Sequence, residues 1–274
     1  MKAVKSIILM LIVMTMTVSC EYLVQQLFPS LEPEREFLMQ IYQKASGREW
    51  HNDTGWCSDK PLGEWYGVEV DAEGYVTALN LRGNGLSADD LSLDLHDLSR
   101  LQQIDVSDNC LGKLTICGNG LLQNITLESC ASESISIYDV PEVCIVDCDS
   151  LSSIGGNFTK VLIKDCDFRH DSHTPCSIEA SEAHVVNCHM HSCGISSQIL
   201  VFEKSSTYDT WYCNTESRLE IVDSYCSTIC GGDFMDDTDI VLNNATLWRS
   251  NWDEESLVTL TASIKGSQWG SLFE

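Results

Sequence analysis

The chain has 274 residues, 43% of them hydrophobic and 21% charged. That is enough apolar material for one sizeable core or an elongated single domain, and it excludes a wholly disordered chain. Its 16 Lys+Arg stand against 41 Asp+Glu, a net charge of −25. Nucleic acid is therefore excluded as a partner, since every phosphate would meet repulsion, while cations, basic protein surfaces and neutral glycans remain open.

Residues 1–20 read as an export signal, with Lys2 and Lys5 at the start, an apolar stretch from Ile7 to Val18, and small residues before Cys20. The apolar run is too short to span a bilayer comfortably. Thr17-Val18-Ser19-Cys20 resembles a bacterial lipobox, although Thr17 stands where that motif carries an aliphatic residue. The resemblance implies lipidation of Cys20, a membrane anchor through it and, with Glu21 following, a place at the outer membrane or cell surface. An ordinary cleaved signal, leaving a secreted or periplasmic protein, is the alternative. Residues 21–32 read as a linker. Cysteines number 14, and setting Cys20 aside leaves an odd count, which fits a pure disulfide scaffold poorly.

Residues 33–75 read as a lid. Phe37, Leu38, Ile41 and Tyr42 have the spacing of an amphipathic helix over Pro33 to Ser46, with Gly47 placed to end it. Trp50, Trp56 and Trp65 follow among turn residues, then Gly67-Val68 and the entry Gly74 to Leu81. A short helix, spaced tryptophans and a W-x-G-V element resemble the N-terminal cap of leucine-rich repeat proteins. Tryptophans in so small a unit are expected to form its core rather than a sugar platform. Cys57 has no second cap cysteine, Val70 standing in the place expected for one, so no cap disulfide is expected.

From residue 76 to 274 the chain repeats. Leu101, Ile104, Val106, Asn109 and Leu111 fill every slot of L-x-x-L-x-L-x-x-N/C-x-L, and Leu79, Leu81, Asn84 and Leu86 fill the main ones. Later copies put Cys at the Asn slot: Cys130, Cys148, Cys166 and Cys188. Four weaker copies centre on Ile199 and Val201, Leu219 and Ile221, Ile240 and Leu242, and Val258 and Leu260. The reading is an α/β-class, leucine-rich-repeat-like parallel β solenoid of about ten irregular short coils with a small helical N-terminal cap. Its coils are shorter than that family's, so an irregular parallel β-helix is the alternative, with extended or 3₁₀ returns after the first two coils. A strand at Ser134 to Tyr138 fits neither frame.

The Asn/Cys slot continues as Lys204, Ser224, Ala245 and Ser263 in this alignment. An inward Asn there bonds loop backbone that would otherwise be unpaired, and Cys is its smaller substitute, so the ladder is structural. Neighbouring coils are close enough for disulfides but do not require them. Cys188, His189, His191 and Cys193 lie one coil after His170, His173 and Cys176, yet their spacing matches no zinc signature, and neither a metal nor another cofactor is expected. Nothing marks a cysteine as an activated nucleophile.

Residues alternating with the inward ones face the concave side. There the columns expose Cys144, Val146, Leu162, Val186, Leu200, Phe202, Val222 and Val241, a contiguous apolar stripe of the kind that marks a partner surface. Asp108, Asp147, Asp165, Glu203 and Asp223 form an acidic rim that would favour a basic partner or keep the rod soluble. A covering loop or second sheet would produce the same apolar runs. The leading expectation is a non-catalytic, surface-anchored protein that binds a protein partner, similar to exported bacterial leucine-rich repeat lipoproteins. The alternatives are a carbohydrate-active enzyme on a β-helix, disfavoured for acidic substrates by the lack of a basic cluster, and a purely structural envelope protein.

Overall fold

A computed structural model describes residues 31–168, 176–230, 237–251 and 254–269. The leader, Cys20 and most of the linker lie outside the described residues, as do His170 and His173. No helix among the described residues is long and apolar enough to cross a membrane.

Helix α1 (Glu32–Lys44) has Pro33 in its first turn with Glu32 and Glu34, and Lys44 in its last, so its charges oppose the helix dipole. Phe37, Leu38 and Ile41 form its buried face. Tyr42 at the edge meets Trp50 edge-on at 5.2 Å, Trp50 meets Trp56 at 4.8 Å, and Trp56 meets Trp65 at 5.2 Å. The indole N–H groups of Trp50 and Trp56 donate to the carbonyls of Ala45 and Tyr66. All three tryptophans are buried, so they are the core of the lid, as expected. Gly67 is required where it stands. Its φ is +78°, and a Cβ there would overlap the carbonyl oxygen of Asn80, whose N–H donates to Gly67 at 2.7 Å.

Val76–Asn80 pairs antiparallel with Val68–Val70 and parallel with Gln103–Asp105. The next strand, Asn124–Glu128, continues the stack through Ser107, which donates to Thr126 O and accepts from Glu128 N. From there the first column runs in parallel register through Glu142–Val146 and residues 160–164, 182–186, 199–203, 218–222 and 239–243. The molecule is a parallel β solenoid of about seven turns with one small helix at its N-terminal end.

The returns are strands too. A second column begins with Ser87–Asp94 and Cys110–Cys117 and passes through residues 153–158, 176–180, 193–197 and 211–215. Ser134–Tyr138, which fits no single-strand repeat, belongs here, between Cys110–Cys117 and residues 153–156. A third, shorter column contains His189–Met190 and residues 206–207, 225–226 and 246–247. Inward residues such as Ile135, Ile137, Ile145, Ile163 and Val185 are buried between the columns, each contributing about 1.5–3 kcal/mol of apolar transfer.

Two expectations are corrected. In the seventh coil the inward residues are Leu200 and Phe202, because Ala183 pairs with Leu200 and Val185 with Phe202; the expected frame, with Ile199 and Val201 inward, is off by one. Val258 and Leu260 do not start a further coil. They lie on Glu254–Lys265, which turns back antiparallel against Asp239–Asn251 and lays Leu260, Ala262 and Ile264 half-buried against the core.

Candidate functional site

Each strand of the first column is followed by a residue in the left-handed region. Gly83, Asp108, Ser129, Asp147, Asp165, Asn187, Lys204, Asp223 and Asn244 all have φ between 48° and 57°. Gly, Asn and Asp tolerate that conformation best, which explains most of the column. The N–H of each corner residue from Gly83 to Asp223 donates to a carbonyl of the next turn, as in Asp147 N to Lys164 O at 3.0 Å and Asp165 N to Val186 O at 3.0 Å.

The residue after each corner points inward, and it is the Asn/Cys slot. Asn109 Nδ2 donates to the carbonyls of Leu81, Val106 and Ser107, while its Oδ1 accepts from Leu86 N. Cys148 Sγ lies 3.3 Å from Val146 O and 4.0 Å from Leu127 O, and Cys188 lies 3.3 Å from Val186 O and 3.5 Å from Ile163 O. Ser205 and Ser224 repeat the geometry with shorter bonds: Ser205 Oγ to Glu203 O at 2.7 Å, Ser224 Oγ to Val222 O at 2.6 Å. In the seventh turn the inward residue is therefore Ser205, and Lys204 is its exposed corner.

Cys130, Cys148, Cys166 and Cys188 carry free, buried thiols. Their donor role needs the proton. Hydrogen bonding to neighbouring column thiols and burial hold Cys130 and Cys166 above the ordinary thiol range. Burial pushes Cys213 up to about 12. Cys130, Cys166 and Cys213, protonated and buried, are packing groups rather than nucleophiles.

The outward side of the first column carries the apolar residues. Cys144, Val146, Leu162, Val186, Val222 and Val241 are half-buried on it, distributed over two columns in which Lys164, His184, Glu203 and Glu220 alternate with them. Leu200 and Phe202 are not among them: both point inward and are 0% exposed. Ile199 and Val201 take their place outside, and Val201 completes the stripe between His184 and Glu220. Among and beside these residues, charges pair with one another. Glu182 meets Lys160 at 3.1 Å and His184 at 2.9 Å, and these partners hold its carboxyl below the usual carboxylate range. Arg218 meets Glu220 at 2.8 Å. A groove of about 360 Å³ crosses this face, lined by Ile125, Val143, Cys144, Leu162, Glu182 and His184 among others.

The acidic rim has a structural origin. Asp108, Asp147, Asp165 and Asp223 are corner residues, and each has a partner. Asp108 binds Arg82 Nε at 2.7 Å, Asp147 accepts from Ser129 Oγ at 3.0 Å, and Asp165 and Asp223 accept from Asn187 Nδ2 at 2.6 Å and Asn244 Nδ2 at 2.8 Å. Glu203 sits one residue before its corner and pairs with Lys204 at 2.8 Å.

Sequence reasoning missed Val201, for which the signal was the Lys204-Ser205 dipeptide: a corner residue followed by a small polar one fixes the register two residues earlier. Among the described residues no group of three or more His, Cys, Asp or Glu is arranged to hold a metal ion. No protein-family model matches the chain, and neither the curated proteins nor the solved structures contain a match to it.

Proposed function

We propose that the protein is a non-catalytic binding protein that takes a protein partner on the outward side of its first strand column. The observation that supports this most is that every turn from Val146 onward places one half-buried aliphatic residue on this face, Val146, Leu162, Val186, Val201, Val222 and Val241, in a zigzag across two columns whose alternate places hold Lys164, His184, Glu203 and Glu220. A sheet face in contact only with water normally carries polar residues, and a contiguous apolar one is the usual mark of an interaction surface. Paired charges at its margin, on a chain of net charge −25, favour a partner with a basic surface by steering its approach. In this reading the export signal and lipidated Cys20 hold the molecule at the outer membrane or cell surface. The lid is the leucine-rich-repeat-like end of the solenoid.

The test is affinity capture from envelope and host extracts with the wild-type protein and a Leu162→Asp/Val222→Asp variant. Both positions are half-buried on the outside, so the variant is expected to keep its circular dichroism spectrum and lose the captured proteins. Retention of the same proteins by the folded variant overturns the assignment.

A further inference from the structure

The third strand column carries a different surface. His189, Ser206, Tyr225 and Thr246 are stacked in register on successive turns. Tyr208, two residues beyond Ser206, leans out between the neighbouring rings and is 58% exposed. Its ring centroid lies 6.4 Å from that of His189 and 6.4 Å from that of Tyr225, tilted by 40° to each. Three aromatic rings thus line up along the solenoid axis. They border a groove of about 510 Å³ that also includes Asp223, Asn244 and Thr246.

Two features separate this groove from the apolar face of the first column. It contains no aliphatic side chain: apart from the two tyrosines, every lining residue is polar. Its polar groups are also held in place. His189 Nδ1 bonds Ser206 Oγ at 2.8 Å, and Asn244 Nδ2 donates to Asp223 Oδ1 at 2.8 Å. Flat tyrosine rings beside fixed carboxylate, amide and hydroxyl groups suit a ligand with one apolar face and a hydroxylated edge. A stacked nucleobase would meet the ring requirement, but the strand that carries it is repelled by a chain of net charge −25.

We infer that the Tyr208/Tyr225/His189 groove is a binding site for a neutral oligosaccharide, whose pyranose rings stack on the tyrosines while its hydroxyls bond Asp223, Asn244 and Thr246. The site lies on a different strand column from the proposed protein-binding face and does not depend on it. No covalent step is involved.

The experiment is calorimetric titration of the whole protein with cellohexaose, laminarihexaose and N-acetylchitohexaose, with choline and a decaproline peptide as the competing aromatic-groove ligands. At least one hexasaccharide is expected to bind. Tyr208→Ala should weaken it at least tenfold, Tyr208→Phe should keep it, and Leu162→Asp on the other face should leave it unchanged. Tyr208 is exposed, so its alanine variant tests the site even where Tyr225→Ala unfolds the protein. Absence of binding by all three sugars at millimolar concentration, sugar binding indifferent to Tyr208→Ala, or saturation by choline or decaproline with none by sugar, each overturns the inference.

Discussion

Near the lid, the corner of the solenoid is closed by Asn109, whose amide makes four hydrogen bonds to backbone of its own and the preceding turn. Four rungs in the middle close the same corner with thiols that reach two carbonyls each over longer distances, as Cys148 does at 3.3 and 4.0 Å. Farther along, Ser205 and Ser224 return to hydroxyls at 2.7 and 2.6 Å. The lid-proximal turns therefore contain backbone that a large polar side chain must satisfy. In the middle turns the corner carries only a small group with a weak donor. What repeats from turn to turn is the left-handed residue and the small inward one after it, not the chemistry of that inward residue.

The largest effect that would break this comparison is in the turn where cysteine gives way to serine. With Ser205 inward, Leu200 and Phe202 are core and Val201 is surface. Leu200→Asp places a carboxylate among buried aliphatic side chains and should cost at least about 4 kcal/mol, enough to abolish cooperative unfolding at moderate urea. Val201→Asp should leave the urea midpoint within about 0.5 kcal/mol of wild type. Equal sensitivity at the two positions would restore the frame in which Lys204 points inward, and the corner series would end at Cys188.

That turn also shows where the sequence was readable and where it was not. Leu79, Ile104, Ile125 and Ala183 have polar or charged neighbours on the outward side, and Val143 and Val161 are fixed by the Cys148 and Cys166 that follow them in the repeat frame, so their inward phase was legible. Ile199-Leu200-Val201-Phe202 is apolar throughout, and strand periodicity of two has no phase in such a run. The lid was legible because its tryptophans and Gly67 allow few arrangements. The second strand column was not: Ser134–Tyr138 is a clear strand, but a repeat with one strand per coil has no place for it. The tyrosine groove was hidden for a different reason, since Tyr208 and Tyr225 lie 17 residues apart and meet only through the register of successive turns.

The next effect separates asparagine corners from cysteine corners directly. Asn109→Ala leaves the buried N–H of Leu86 without its acceptor and takes a donor from the carbonyls of Leu81, Val106 and Ser107, and is expected to cost about 2–3 kcal/mol in urea unfolding. Cys148→Ser should change stability by about 1 kcal/mol or less, because serine already occupies the equivalent place at 205 and 224. In the folded protein an alkylating reagent should reach exposed Cys57 and Cys110 and spare Cys130, Cys148, Cys166 and Cys188 until urea opens the stack. Should Cys148→Ser cost as much as Asn109→Ala, the middle turns would have the same backbone demand as the first ones.

The smallest effect concerns how the lid meets the first turn. Glu34 is buried in α1, and its Oε2 accepts from Val76 N at 2.8 Å, so a carboxylate does there what Asn109 does farther along. Its other oxygen has no partner. Burial raises its carboxyl above the ordinary value of 4.5, and Asp71 adds to the rise, against the Val76 bond and Arg100. The folded protein therefore holds this proton to higher pH than the unfolded chain, and the group's contribution to stability falls as pH rises from 4.5 through the folded-state value. Glu34→Gln keeps an acceptor for Val76 N and removes the titration. The unfolding free energy of the variant minus that of wild type should increase across that window and level off above it, whatever constant offset the new amide N–H₂ introduces. A difference that stays flat with pH would mean that Glu34 is as well solvated as an ordinary surface carboxylate. The lid would then rest on its aromatic cluster, with the polar corner beginning only at Asn84.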